Sequence, residues 1–422
     1  MTRVRSIAVA ISLALGAVVP AVTLLAPTAH AAEDKQQNKI TTKAVAVPLK
    51  AAQEAMQKKQ WDTALTEIKK AQAVDKKTPF EAYQIDEFMG FVLIQQKKFG
   101  EAAPVFERML NSGLMPADQV DERTKTVAQL YFQMKDYNKA SQWAKKWLEK
   151  HPNTEDMGIL LGQSQYLLND YKGAAATMSN VVKNAEKAGR KPDENWIQIV
   201  MSSYFKMQPQ DKDGIGDALK TMVRYYPKPE YWENLLDIYR RKASGDRMTL
   251  GYYRLMNDVG TLKDKGDYVE MAQLAIDAGV PGEAQNIMQK GVESGVLKSD
   301  DKTEQGRYDR LLTSAKKQAD TDRAELPQLA SAAEKSSSGQ PSVALGQAYL
   351  SYGELDKAIA SLQKGISTGT GVTDIDEANI SLGIAYLKKG QKDQARQAFK
   401  AVKDGSKWKD LADLWVVRTQ SP

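Results

Sequence analysis

The 422-residue chain contains no cysteine. Disulfides, thiolate metal sites and thiol nucleophiles are excluded together, as is a lipid-attachment cysteine of the kind bacterial lipoproteins carry. Histidine is nearly absent: His30 and His151 are the two in the sequence, and the first falls in a segment expected to be removed. A lone imidazole has neither the partner ligands of a metal site nor the second base of a triad. His151, in Lys150-His151-Pro152-Asn153, reads as a helix C-terminal residue facing the dipole. No Gly-rich loop is followed by Lys-Ser or Lys-Thr, so no phosphate cradle is expected. The run Asp211-Lys212-Asp213-Gly214 lacks the later ligands of a calcium loop. Carboxylates such as Asp118, Asp121, Glu122, Asp300 and Asp301 read as loop or first-turn acids. Catalysis is left only a carboxylate pair to work with. The expectation is a non-catalytic chain with no metal and no cofactor.

Charge of one sign is also missing. Lys and Arg number 59 against 53 Asp and Glu, a net +6, too mild to argue for nucleic acid. Long apolar runs are confined to one place, from Ile7 to Leu25. Arg3 and Arg5 precede that run, and Ala29-His30-Ala31 follows it as a small-x-small cleavage pattern. This is the layout of a secretory signal over residues 1–31. An uncleaved membrane anchor is the other reading, because roughly 20 apolar residues suffice to span; Pro20, Pro27 and the small residues before position 32 favour cleavage. The mature balance is then 57 basic against 53 acidic residues, or +4. The expected compartment is the bacterial periplasm, with no membrane span after cleavage. Residues 32–44 are polar and expected to be disordered.

What the chain has in place of these features is repetition. Trp61 is followed by Ala64, Ile68 and Ala71. The same offsets recur at Phe99-Ala102-Phe106-Met109, Tyr137-Ala140-Ala144-Trp147 and Tyr171-Ala174-Met178-Val181. Later copies are Leu355-Ala358-Leu362-Gly365 and Lys392-Ala395-Phe399-Val402. The first four anchors are 38, 38 and 34 residues apart and the last two 37 apart. Upstream helices carry Leu160-Leu161-Gly162, Leu345-Gly346 with Tyr349, and Leu382-Gly383 with Tyr386. Small residues at fixed places let two short antiparallel helices approach, and large residues fill the gaps at helical spacing. One such pair cannot bury its face alone, so neighbours must stack.

This pattern resembles the tetratricopeptide repeat. The resemblance covers about 45–290 and 341–403, and it implies an all-α solenoid of antiparallel helix pairs in a right-handed superhelix. The expected organisation is an array over 45–300, a charged helix and flexible linker over 301–340, and helix pairs with a capping helix over 341–422. The middle of the first array is degenerate. Trp196, Tyr204, Ala218, Met222 and Tyr225 form one stretched repeat, and the helix around Leu250-Gly251-Tyr252-Tyr253 lacks the Ala anchor. Tyr225, Tyr226, Tyr231, Trp232, Tyr252 and Tyr253 form a core or a contact patch. Leu326-Pro327 and Glu334–Gly339 read as a breaker and a linker. Trp408, Leu411, Leu414 and Trp415 mark a polar-backed cap. Deletion of 341–422 is expected to leave a folded N-terminal array.

In the family the concave face is lined by the first helix of each pair. By offset the resemblance places Gln84, Glu87, Phe91 and Ile94 there, then Lys125, Gln129, Phe132 and Gln133. Ile159, Gln163 and Tyr166 follow, and the C-terminal pair adds Val343, Gln347, Leu350, Ile384 and Lys388. Glutamines among aromatics suit a groove for an extended or helical peptide. The Lys and Asn of carboxylate-clamping members are replaced by Leu49 and Gln53, with Lys50 out of register, so that specialised function is not expected. In overall layout the chain resembles the periplasmic repeat proteins that accompany TonB–ExbB–ExbD systems. That resemblance implies a scaffold or adaptor whose partners are other envelope proteins, in a complex for energised transport. A scaffold in cell-wall or exopolysaccharide assembly is the alternative. No nucleic acid partner is expected.

Overall fold

The computed structural model describes residues 39–421. The signal segment 1–31 and the polar residues 32–38 lie outside the described residues. Among the described residues there are twenty α-helices and no strand, and no helix is long and apolar enough to cross a membrane. The described residues form two compact units, 39–215 and 216–421.

The first unit contains α1 (Lys43–Gln57), α2 (Trp61–Gln72), α3 (Pro79–Gln95), α4 (Phe99–Asn111), α5 (Ala117–Gln133), α6 (Tyr137–Lys150), α7 (Glu155–Leu167), α8 (Tyr171–Lys187) and α9 (Glu194–Lys206). The boundary falls within α10 (Lys212–Tyr225). The second unit continues with α11 (Pro229–Arg240), α12 (Asp246–Asp258), α13 (Lys265–Asp277), α14 (Pro281–Glu293), α15 (Lys302–Lys335), α16 (Gln340–Ser351), α17 (Leu355–Thr368), α18 (Ile375–Lys388), α19 (Lys392–Lys400) and α20 (Lys409–Gln420).

All six repeat anchors open the second helix of a pair: Trp61, Phe99, Tyr137, Tyr171, Leu355 and Lys392 are the first residues of α2, α4, α6, α8, α17 and α19. The small residue three positions on (Ala64, Ala102, Ala140, Ala174, Ala358 and Ala395) is 0% exposed in every copy. Nine positions before each anchor stands Ala52, Gly90, Ala128, Gly162, Gly346 or Gly383, where the first helix meets the second. A Cβ on Gly90 would lie 2.3 Å from the Phe106 ring, and one on Gly383 2.4 Å from the Phe399 ring. Where the facing position in the sequence is the small Ala144, the first helix carries Ala128 instead of glycine. Volume is thus balanced at these pairs, as close packing requires, while in the first pair Ala52 faces the large Ile68. The helix pair α13–α14 follows the same rule, with Ala284 and Met288 both 0% exposed.

The first unit begins with a polar latch. Thr78 caps α3 in a capping box with Glu81. The same carboxylate reaches back to the chain entering α1. Its Oε1 accepts from the backbone N–H groups of Thr41 (2.9 Å) and Thr42 (2.8 Å), and its Oε2 from the Thr42 hydroxyl (3.0 Å). The end of the stretch expected to be disordered is therefore fixed, and α1 opens two residues before position 45. A buried carboxylate gathers these donors because they cost free energy if left unpaired.

The second unit departs from the expected layout in three places. First, α15 runs unbroken for 34 residues with Pro327 inside it. Leu326-Pro327 is not a breaker here. The buried stripe Tyr308, Ala315, Ala319, Leu326 and Ala333 seats α15 on α14 and α16, and the Tyr352 hydroxyl donates to the Ala319 carbonyl at 3.0 Å and to Asp322 Oδ2 at 2.6 Å. Packing outweighs the lost hydrogen bond and the ring clash of an interior proline. The expected flexible linker reduces to the short turn after Lys335, which is tied by the Gly339 N–H donating to the Thr370 carbonyl at 2.8 Å.

Second, α20 has a polar outer strip but does more than cap the last pair. Trp408, Leu411, Leu414 and Trp415 are at most 2% exposed, and the buried residues Leu411, Ala412, Leu414, Trp415, Val417 and Thr419 cover an arc of about 220°, which leaves a narrow outer strip of Lys409, Asp413, Val416 and Gln420. α20 packs against α19 and also against α12. Arg418 Nε donates to Asp258 Oδ2 at 2.7 Å, and the Ser421 hydroxyl donates to the Val223 carbonyl at 2.9 Å. Arg247 joins Glu377 at 2.9 Å. The C-terminal pairs and residues 216–300 therefore belong to one unit that closes on itself.

Third, the missing Ala anchor of α12 has a reason. Gly251 is the point where α20 approaches: a Cβ there would lie 2.6 Å from Leu411 Cδ2. The aromatic cluster is core at Trp232, Tyr252 and Tyr253, which are 2%, 1% and 0% exposed.

Candidate partner-binding face and internal cavity

The first helices of the first unit set out three rows of side chains. Eight residues before the anchors stand Gln53, Phe91, Gln129 and Gln163, all half-buried. Among the described residues the side-chain amides of Gln53, Gln129 and Gln163 make no hydrogen bond within the chain, which leaves each a donor and an acceptor to offer. Phe91 packs edge-on against Trp61 at 6.1 Å, and Phe132 against Tyr137 at 5.5 Å. Both keep part of their rings open. The Gln84 amide donates to Glu87 at 3.0 Å. Lys125 pairs with Asp156 at 2.8 Å and lies 5.9 Å from the Trp147 ring centre. Gln133 is exposed and Ile159 half-buried.

Two expected contacts are taken up by packing. Ile94 and Tyr166 are each 8% exposed. The Tyr166 hydroxyl bonds Ser202 at 2.7 Å, its ring meets Tyr171 at 5.6 Å, and Lys206 sits 4.9 Å above it. Arg123 was not anticipated. Its guanidinium lies 4.4 Å over the Phe106 ring, and among the described residues its Nε and Nη1 have no hydrogen-bond partner. Burial holds Arg123 below its ordinary range, against the pull of Tyr83 and Glu87. An arginine inside a repeat core was the available signal. His151 closes α6, as its position implies, with its ring tilted on Trp147 at 4.5 Å and Nε2 at 2.9 Å from Asp121 Oδ2.

In the second unit the offset-mapped residues face a cavity of about 170 Å³. Gln347 and Leu350 of α16 and Ile384 and Lys388 of α18 line it. Arg254, Asn257 and Asp258 come from α12, Glu283, Asn286 and Lys290 from α14, and Trp415 from α20. Val343 is buried behind the lining, against Gly365. Arg254 grips Glu283 through Nε (2.9 Å) and Nη2 (2.7 Å), the two-pronged geometry of strong carboxylate pairing. Burial pushes the Glu283 carboxyl up, but the charge and N–H groups of Arg254 and the charge of Lys388 outweigh it and hold it below the usual range. The Gln347 amide donates to the Ser381 hydroxyl at 3.2 Å, the Asn286 amide to the Ser351 carbonyl at 3.0 Å, and Lys290 to Asn257 at 2.6 Å. Sequence offsets find the α16 and α18 residues. They cannot find α12 and α20, because closure carries no repeat signal.

Residues 343–407 match the family model described as tetratricopeptide repeat. Residues 95–181 match the model described as anaphase-promoting complex, cyclosome, subunit 3. The chain carries tetratricopeptide-type repeats. No curated protein matches it. Among solved structures it is similar to MamA from Desulfovibrio magneticus RS-1, at 15% identity over 49% of this chain and 100% of that one, with a TM-score of 0.27. A tetratricopeptide repeat protein from Parabacteroides merdae ATCC 43184 is 13% identical over 65% of this chain and 99% of that one, with a TM-score of 0.29. The P58(IPK) TPR domain is 13% identical over 89% and 97%, with a TM-score of 0.23. At these scores none of the three informs the reading of this chain. Repeats of this kind stack to present extended binding surfaces, and as a class they are protein-interaction scaffolds without catalytic machinery.

Proposed function

We propose that this chain is a non-catalytic scaffold of the bacterial envelope, working in the periplasm. It grips a segment of another envelope protein along the first-helix face of residues 39–215. The observation that carries the reading is the row of half-buried Gln53, Gln129 and Gln163 amides with no hydrogen bond among the described residues. A row of solvent-reachable amides one repeat apart suits the backbone of an extended or helical peptide. Phe91 and Phe132 supply the apolar anchors beside it. The partner class is a component of a TonB-type energy-transducing transport complex. The N-terminal signal pattern and the layout of the repeats support that choice.

The test is a photo-crosslinking residue placed at Gln129 in the full chain in intact cells, with mass spectrometry of the products. Recovery of TonB, ExbB or ExbD supports the reading. Recovery of a cell-wall or exopolysaccharide assembly protein moves the partner to the alternative class. Absence of any crosslinked protein from Gln129, with crosslinks from a control site on an outer helix, counts against the face itself.

A further inference from the structure

The cavity of the second unit differs from a peptide groove in size and in chemistry. At about 170 Å³ it falls below the roughly 300–1,000 Å³ of ordinary drug-sized pockets. It exceeds only slightly the cavity of about 150 Å³ that holds a benzene molecule. Its apolar lining is Met271, Ile287, Leu350 and Ile384. Its charged lining is three cations, Arg254, Lys290 and Lys388, and two carboxylates, Asp258 and Glu283, with Lys290 one turn from Ile287 and Lys388 one turn from Ile384.

Both carboxylates are engaged. Glu283 is held by Arg254, and Asp258 accepts from Arg418 at 2.7 Å. Neither Lys290 nor Lys388 has a carboxylate within salt-bridge distance among the described residues: Lys290 donates to the neutral Asn257. The positive charge is therefore in excess. Trp415 lines the same space, with its indole nitrogen buried. Trp415 is 1% exposed, and its indole N–H has no hydrogen-bond partner among the described residues. Leaving such a group unpaired costs free energy, on the order of 1–3 kcal/mol.

We propose that this cavity is a binding site for a small organic monocarboxylate with a short apolar or aromatic body, of roughly six to ten non-hydrogen atoms. The carboxylate sits towards Lys290 and Lys388, and the body lies against Leu350 and Ile384. A phosphate dianion fits less well, because it brings two negative charges beside Glu283 and Asp258 and leaves the apolar lining uncovered. A peptide segment is too large for the volume.

Isothermal titration of the full chain with benzoate, benzamide and inorganic phosphate tests the proposal. Benzoate is expected to bind saturably at one site per chain, with benzamide and phosphate each at least tenfold weaker. Lys290 and Lys388 are both exposed on their helices, so Lys388→Gln and Lys290→Gln should keep the melting temperature and weaken benzoate at least threefold each. Three results would overturn it: no saturable benzoate binding, equal binding of benzoate and benzamide, or benzoate binding unchanged in both lysine variants. Phosphate binding as tightly as benzoate would overturn the monocarboxylate assignment, since charge alone would then account for the site.

Discussion

The two units use one repeat to opposite ends. In residues 39–215 each helix packs substantially only on its first and second neighbours along the chain. Such an array is close to one-dimensional in its energetics, and its first helices keep side chains half-open. In residues 216–421 the last helix returns to α12, and Ser421 reaches Val223 across 198 positions of sequence. In the closed unit Gln347 spends its amide on Ser381 of the next pair, whereas Gln129 and Gln163 of the open unit keep theirs. The repeat alone therefore does not decide whether this row of side chains stays open. First-helix side chains stay half-open where the array stays open, and a cavity forms where it closes.

Removing α20 should break this comparison most completely. A chain ending at Gly405 loses Trp408, Leu411, Leu414 and Trp415, all buried. At about 1.5–3 kcal/mol for each buried apolar side chain, the loss approaches the whole stability of a domain, about 5–15 kcal/mol. Hydrogen exchange should show α11 to α19 losing protection together while α1 to α8 keep theirs. Deletion of the larger piece 341–422 should do the same, so a folded N-terminal array would be left only up to the unit boundary. Unchanged protection in α12 after either deletion would sink the claim of closure.

The next effect tests whether the first unit is as modular as its contacts imply. Glu81→Gln removes the charge that gathers the Thr41, Thr42 and Thr78 donors. Hydrogen bonds to a charged group contribute about 1.5–3 kcal/mol, so α1 should loosen by about that much while α5 to α9 are untouched. Burial works to raise the Glu81 carboxyl, but the backbone N–H groups of Thr42, Thr78 and Thr41 and the Thr42 hydroxyl overcome it and hold it at about 2. A depressed folded value stabilises above the unfolded one and is lost as pH falls. The α1 contacts of the native chain should thus weaken between about pH 4.5 and 2, and those of the Glu81→Gln variant should show no such transition. Proteolysis or exchange at 39–57 across that range reads the difference.

A pair of glycine substitutions compares the closing contact with an ordinary pair contact. Gly90→Ala would put a Cβ 2.3 Å from the Phe106 ring, and overpacking of this kind costs typically about 1–3 kcal/mol. The damage should stay in α3 and α4. Gly251→Val forces Leu411 aside at a similar cost, but it should lower protection in both α12 and α20, which lie about 160 residues apart. Damage confined to α11 and α12 would mean that the two helices are not energetically coupled.

Much of this architecture is written in local spacing. The anchors, their buried alanines and the first-helix glycines all follow from helix periodicity, so offsets alone locate α2, α4, α6, α8, α17 and α19, and also the rows containing Gln129 and Gln347. What sequence offsets do not carry is non-local. Nothing near Gly251 announces Leu411 as its neighbour, so α12 reads as a degenerate repeat and α20 as a cap. Pro327 reads as a breaker because the local rule is sound, and only the stripe from Tyr308 to Ala333, packed on α14 and α16, reverses it. The cavity inherits the same limit: its α16 and α18 lining is legible, and its Arg254, Glu283 and Trp415 are not.

The smallest effect separates the turns of the two units. The residue two before each anchor takes positive φ. It is Lys59 (57°), Lys97 (57°), Lys135 (62°) and Asn169 (63°) in the first unit, and Gly353 (75°) and Gly390 (81°) in the regular pairs of the second. A side chain in that region costs roughly 1–2 kcal/mol, and asparagine bears it better than lysine. Lys97→Gly should therefore raise stability by about 0.5–1 kcal/mol, after subtracting the greater chain entropy that glycine loses on folding. Asn169→Gly should gain less, and Gly353→Lys in the second unit should lose about 1 kcal/mol. Denaturant midpoints for the three variants check the order. If Lys97→Gly destabilises, the lysine must be contributing contacts that outweigh the strain, and the turns of the open array would then be part of its packing instead of a tolerated cost.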